Sequence, residues 1–219
     1  PGRWRIYRRV MLHLSNRIVC VSAAVASQFP PHKKLTVINN GFPASEFEQP
    51  SEHRVWQFKK WAGINGHLSV GVVGRIKLRR KGQEVFIRAA SLVIQSGVRA
   101  RFVCIGAPFS GNESHLTILN ELAADEGVEE FLALPGEYED IKAAFAGLDV
   151  VVLPSVDPEP FGGVVIEAMA LGKPVIGTSH GGTPDQIVDG QTGFLVRPGD
   201  HVGLAEAIMK LLGDTTLRL

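Results

Sequence analysis

The sequence predicts an α/β fold, a doubly wound parallel sheet of Rossmann-like type with helices on both faces. Two observations carry this. Short runs dominated by Val, Ile and Leu recur from residue 68 onward: "LSVGVVG", "ARFVCIG", "EEFLALPG", "DVVVLP", "KPVIGTS" and "GFLVRPG". Near-continuous apolar runs of this length read as strands buried on both faces. Segments of helical character alternate with them: "QEVFIRAASLVIQSG", "HLTILNELAADEG", "DIKAAFAG", "GVVIEAMALG" and a final "HVGLAEAIMKLLG". That alternation is the signature of a parallel sheet joined by right-handed crossovers. Ligands of such a sheet bind outside the carboxyl ends of its strands, so the loops at those ends are the places to look.

Before this rhythm the chain reads differently. Ile6, Val10 and Leu14 fall at helical spacing among Arg3, Arg5, Arg8 and Arg9. "IVCVS" is a short strand, Ser22 is placed to cap a helix over "AAVASQF", and Pro30-Pro31 ends it. "KLTVINNGF" predicts a strand with a turn at Asn40-Gly41. Residues 43–51 are polar and proline-bearing and read as a linker. The predicted division is 1–46, the remnant of a preceding domain with its linker, and 47–219, the Rossmann-like domain. No repeat or low-complexity tract is visible.

Composition narrows the function classes. The 219 residues carry a formal net charge of +1, so no global field points to nucleic acid. Cys20 and Cys104 both sit in apolar runs and read as core thiols rather than a disulfide framework. No apolar run reaches the roughly 18–20 residues of a membrane span. The opening stretch spreads its arginines and has no apolar core, so it does not read as a signal peptide. It does not start with Met, which suggests a beginning inside a longer protein. There is no nucleophile elbow, phosphate loop, zinc-protease helix or Cys/His cluster at metal spacing. "GVVG" lacks the full G-x-G-x-x-G pattern, which weakens a nicotinamide-dinucleotide reading.

Three strand-end loops carry chemistry. In "GRIKLRRKGQ", residues 74–83, Gly74 ends a strand and Arg75, Lys77, Arg79, Arg80 and Lys81 follow. Five cations on one loop attract phosphate, arginine adding bidentate geometry and lysine a point charge; the plainer reading is a solvated basic surface. In "SVDPEPFGGVVIEAMALG", Phe161, Gly162 and Gly163 stand where amides lack intrahelical partners and can bind an anion or hydroxyl. Glu159 lies in that loop and Glu167 about one turn into the helix, so the two carboxylates are expected to converge on one small cavity. Glu159 alone reads equally as an exposed loop acid. Glu167 has nearly all-apolar neighbours, and a charge there needs a partner or a ligand. In "SHGGTPDQIVDGQTG", Gly181 and Gly182 predict a tight turn and Pro184 the first turn of a short helix. His180 there is as readily structural as ligand-contacting.

Together these loops resemble the retaining, nucleotide-sugar-dependent glycosyltransferases of the GT-B fold, glycosyltransferase family 4. The matching elements are Gly74-Arg75 with Lys81-Gly82, the pair Glu159 and Glu167 within "EPFGGVVIEAMALGKPVI", and "GGTPD" at 181–185, over about residues 65–212. The resemblance implies that this chain is mainly the C-terminal, donor-binding half of such an enzyme. It implies catalytic roles for Glu159, Arg75 and Lys81. Glu159 would touch the transferred sugar, and Arg75 and Lys81 would neutralise the departing diphosphate. Donor-binding roles fall to Gly74, Arg80, Phe161, Gly162, Gly163 and Glu167, the last bonding the ribose hydroxyls. Gly136 and Tyr138, in "PGEYED" at 135–140, lie at the strand end where the base is expected. The implied donor is a UDP- or GDP-sugar, with no metal and no cofactor. The implied acceptor is a sugar or lipid-linked hydroxyl bound by the N-terminal domain. Cytoplasmic location, with peripheral contact at the inner membrane face, is the accompanying expectation; an exposed helix face of the missing domain is the plainer reading of the basic first helix.

Three departures from the family pattern stand out. The basic loop is one residue longer between Arg75 and Lys81, which suggests that Arg80 takes the lysine's role. Asp185 stands where Glu is usual. And 219 residues cannot hold two such domains, so the chain is expected to bind nucleotide but not to transfer sugar unaided. The alternatives are a non-catalytic sugar-nucleotide-binding or interaction module and a GT-B-like epimerase or phosphorylase.

Overall fold

The computed structural model describes residues 2–218, apart from the side chains of Ala44 and Glu46. Pro1 and Leu219, which end the two predicted domain ranges, lie outside the described residues. A first segment runs α1 (Gly2–Leu14), β1 (Ile18–Cys20), α2 (Ala23–Ala26), β2 (Leu35–Val37). After a 3₁₀ turn at Ala44–Phe47 come α3 (Glu52–Trp61), β3 (Ser69–Val73), α4 (Gln83–Gln95), β4 (Arg101–Ile105), α5 (Ser114–Asp125) and β5 (Leu132–Gly136). The chain continues with α6 (Ile141–Gly147), β6 (Val150–Leu153), α7 (Gly163–Ala170), β7 (Val175–Thr178), β8 (Phe194–Val196), α8 (His201–Gly213) and α9 (Thr215–Arg218).

Strands β3 to β8 form one six-stranded sheet in the order β5-β4-β3-β6-β7-β8. Every neighbouring pair is parallel, with Val72 beside Cys104 and Val151 beside both Gly71 and Val175. The doubly wound expectation holds. All residues of β3, β6 and β7 are buried, which is why their sequences read as unbroken apolar runs. One apolar layer, between the sheet and α4 and α8, holds Phe86, Phe102, Ile176 and Leu204. The opposite layer, under α3, α6 and α7, holds Phe58, Phe145, Leu148 and Val165. Each such side chain contributes about 1.5–3 kcal/mol by leaving water. Both thiols are buried and free, and burial pushes Cys104 up to about 12, leaving it inert at neutral pH.

Several local expectations are corrected. Helix α3 falls in a stretch left unassigned by the sequence. The predicted helix over "AAVASQF" stops at Ala26, although Ser22 caps it as expected, its hydroxyl accepting from Val25 N at 3.1 Å. Phe29 leaves the helix to enter the small core of the first segment with Leu12, Ile18 and Cys20. No turn forms at Asn40-Gly41. Strand β2 pairs in parallel with β1, so no hairpin partner follows it. Ile6, Val10 and Leu14 of α1 are exposed, Leu14 at 77%.

Candidate active site

The strand order reverses between β3 and β6, and at this switch point a crevice opens between the loops that leave their carboxyl ends. One loop is the basic stretch 74–82; the other is 154–162. They are stitched together by backbone: Val156 N and Asp157 N both donate to the Arg80 carbonyl, at 2.8 and 3.2 Å. Gly82, at φ +74, ends the basic loop and is the N-cap of α4. A Cβ there would stand 1.9 Å from the Pro154 carbonyl oxygen, so only glycine lets the two loops approach this closely.

Within the basic loop Arg79 adopts the left-handed conformation with φ 62. The Arg79 amide donates to Glu84 Oε1 at 2.8 Å, fixing the turn. Lys81 reaches the second loop. Its Nζ donates to Glu159 Oε1 at 2.6 Å, and Ser155 Oγ donates to the same oxygen at 2.7 Å. Arg80 contributes its carbonyl to the stitching and its charge to the surroundings of Glu159. Burial alone would push the Glu159 carboxyl up, but the bonds from Lys81 and Ser155, with the charges of Lys81 and Arg80, hold it below the ordinary carboxylate range.

That shift predicts a pH dependence. A carboxylate lowered in the folded state adds stability above its unfolded value of about 4.3, and the gain is lost as pH falls through the lowered value. Melting curves of the native chain and Glu159→Gln should differ by a constant amount from about pH 8 to pH 5 and converge only below about pH 4. Convergence near neutral pH would show that Glu159 is not held as an anion.

The third loop braces the second. Gly182 N donates to the Glu159 carbonyl at 2.8 Å, His180 Nε2 lies 2.9 Å from the Val156 carbonyl, and Gln186 Nε2 donates to the Phe161 carbonyl. Cβ atoms on Gly181 and Gly182 would fall 2.4 Å from the Glu159 carbonyl oxygen and 2.6 Å from that of Pro160. The predicted short helix is the 3₁₀ turn Thr183–Asp185, with Pro184 in its first turn. Asp185 Oδ2 accepts from Ala23 N at 2.7 Å, tying this loop to the start of α2.

Two adjoining hollows flank the crevice. One, of about 320 Å³, is lined by Gly74, Arg75, Gly106, Tyr138 and Ile141 among others. Gly136 closes β5 beside it, its carbonyl accepting from Gly106 N at 2.7 Å. The Arg75 guanidinium lies 4.3 Å from the centre of the Phe109 ring. Tyr138 packs on Trp61 at 4.7 Å and Phe58 at 5.3 Å. The second hollow, of about 270 Å³, shares Ile141 and is lined by Glu167, Phe42, Phe47, Lys142 and Phe145.

The two acids do not converge on one cavity. Glu167 reaches back along its helix, with Oε1 3.2 Å from where Gly163 would bear a Cβ, whereas Glu159 is drawn to Lys81 and does not line the Glu167 hollow. Phe161 is buried, and the N-terminus of α7, at Gly162 and Gly163, lies between them. Among the described residues the amides of Gly162, Gly163 and Val164 donate to no backbone carbonyl, as a first helical turn requires. Sequence reading missed Ser155, Phe109, Trp61, Phe42 and Gln186. Phe42 carried a local hint in its place after Asn40-Gly41, and Ser155 bonds Glu159 only four positions on; Phe109, Trp61 and Gln186 act through contacts distant in sequence. Among the described residues no cluster of three or more His, Cys, Asp or Glu is placed to hold a metal ion.

Residues 67–214 match the model of the family described as "Glycosyl transferases group 1". The chain belongs to this family. The glycosyltransferase chain is 31% identical, over its whole length, to a D-inositol 3-phosphate glycosyltransferase of Corynebacterium kroppenstedtii, of which it covers 50%. It spans about half the length of the relatives it matches. It superposes on Anabaena HepE, solved in complex with UDP-glucose, with a TM-score of 0.89 at 26% identity, covering 99% of this chain and 59% of that one. It also superposes on the C-terminal domain of a group 1 family protein, LpcC, from Francisella tularensis, with a TM-score of 0.69 at 29% identity, covering 81% of this chain and 91% of that domain. The fold is thus that of the C-terminal half of a GT-B glycosyltransferase.

Proposed function

We propose that this glycosyltransferase chain binds a nucleotide-sugar, UDP- or GDP-linked, for transfer of the sugar to an acceptor hydroxyl with retention of configuration. The observation that carries the reading is the crevice at the β3/β6 switch point, where the Lys81–Glu159 pair joins the two loops and the Arg75 and Glu167 hollows adjoin through Ile141. The base would lie by Gly136 and Tyr138, the ribose hydroxyls on Glu167, and the diphosphate against Gly74, Arg75, Arg80, Lys81 and the amides opening α7. The complex of HepE with UDP-glucose supports a uridine donor.

In this reading the bond between the anomeric carbon and the diphosphate oxygen breaks, and its electron pair leaves with the diphosphate. Positive charge spreads over the sugar ring while negative charge grows between Arg75 and Lys81, which are fixed before the reaction begins. Glu159, held ionised, faces the ring. The acceptor oxygen bonds to the anomeric carbon from the face the diphosphate leaves, and its proton passes to a departing oxygen. Arginine and lysine do the charge neutralisation that a metal would otherwise do, and no cofactor takes part. The division at 46/47 separates the donor domain from the segment leading to the acceptor side. Acceptor binding, sugar or lipid-linked, belongs to the preceding half, and the 219-residue chain alone binds donor without turnover. The cytoplasm, at the inner membrane face, is the matching location; no helix among the described residues is long and apolar enough to cross a membrane.

A thermal-shift screen of nucleoside diphosphates tests this. Ligand at about 100 times its Kd adds about 2.7 kcal/mol by mass action, a rise of several degrees with UDP or GDP. No shift with either would favour the non-catalytic interaction module.

A further inference from the structure

We propose that Gln186 is a positioning residue for the sugar of the donor: it turns the Phe161–Gly162 peptide so that the Gly162 amide faces the crevice. The inference rests on the donor-site reading above and names a residue outside it. Gln186 lies just beyond the 3₁₀ turn Thr183–Asp185 and reaches under the 154–162 loop. Its Nε2 donates to the Phe161 carbonyl and, at 3.4 Å, leans on that of Gly182.

A trans peptide sends its C=O and N–H in opposite directions, and the described chain has no cis bond. Holding the Phe161 oxygen inward on Gln186 therefore points the Gly162 N–H outward. The inner side is marked independently: a Cβ on Gly162 would lie 3.1 Å from Leu153 Cδ2, 3.6 Å from Thr183 Oγ1 and 3.7 Å from Gln186 Nε2. With φ +88 and ψ 57, Gly162 lies in the left-handed region open to glycine, and its own carbonyl accepts from Val165 N at 3.0 Å, so the two peptides on either side of it are each held by a hydrogen bond.

The arrangement is costly for the fold. Gln186 Oε1 and Thr183 Oγ1 are buried without a hydrogen-bond partner among the described residues, and Thr183 is fully buried. An apolar side chain of similar volume at 186 would leave no such orphan acceptor. A buried polar side chain kept under those conditions, with its one good donor on the Phe161 carbonyl, fits a need to set that peptide. In the donor-site reading the Gly162 amide, at the N-cap, serves the transferred sugar, and the Gly163 and Val164 amides of the first turn of α7 serve the diphosphate. Gln186 should thus affect the sugar and spare the nucleotide.

The test compares UDP with UDP-glucose by calorimetry, with GDP and GDP-glucose as the second pair. Gln186→Met keeps the volume and removes the donor; Gln186→Asn keeps the amide but withdraws it by one carbon. Both should weaken the nucleotide-sugar about fivefold to tenfold, the worth of one hydrogen bond, while changing the bare diphosphate less than about twofold. Amide exchange on the unmodified chain supplies a readout without a variant: the Gly162 amide should slow with the nucleotide-sugar and not with the diphosphate. Equal weakening of both ligands, no weakening of either, or an unresponsive Gly162 amide would overturn the role of Gln186 while leaving the donor site standing. Failure of the unmodified chain to bind any of the four would overturn both.

Discussion

Glu167→Ala is expected to weaken UDP or GDP binding by about 10- to 100-fold, as loss of charge-assisted hydrogen bonds to two vicinal hydroxyls would. The expectation follows from where the helix puts this acid. It lines a hollow walled by Phe42, Phe47, Phe145 and Lys142, which shares Ile141 with the hollow that holds Arg75 and Tyr138. Calorimetry checks this. Retained affinity in a variant with an unchanged melting temperature would remove Glu167 from the site.

Gly82→Ala is expected to be the most damaging small substitution in the chain, by about 2–4 kcal/mol from the sum of backbone strain and overpacking. The added carbon would stand 1.9 Å from the Pro154 carbonyl oxygen, on a residue that already holds φ +74. Either the start of α4 or the end of β6 must move, and with it the Arg80 carbonyl that holds Val156 and Asp157. For a chain of this size the melting temperature should fall by roughly 5–15 °C. A variant that melts within about a degree of the parent would show that the two loops are not locked together there.

How much of this was legible beforehand depended on the range of the contacts. Strands β3, β6 and β7 could be read because each is buried along its length, and burial on both faces writes itself as consecutive apolar residues; the half-buried β5 and β8 kept short apolar runs beside them. Helix α3 could not be read. Only Phe58 of its ten residues is buried, so "EHRVWQFKKW" shows no apolar period. Yet that helix supplies Trp61 behind Tyr138 and Arg54, which pairs with Asp140 at 2.6 Å at the start of α6. The Asn40-Gly41 pair looked like a hairpin signal, but hairpin chemistry needs an antiparallel partner, and β2 has a parallel one. At the site, the basic loop and the acids around 159–167 were visible as residue types. Their pairing was not: Lys81 and Glu159 are 78 positions apart, and the left-handed Arg79 that brings them together is a conformation no residue type announces. The same holds for Gln186, whose partner lies 25 positions back on another loop.

The account stands most directly on where a bound nucleotide-sugar lies. A crystal structure of the chain with UDP-glucose should place the diphosphate beside Arg75 and Lys81 and the ribose hydroxyls within about 3 Å of the Glu167 carboxylate. Nucleotide found instead in the arginine-lined hollow of Arg5, Arg8 and Arg9, between α1 and the residues that follow α2, with the β3/β6 crevice empty, would contradict it.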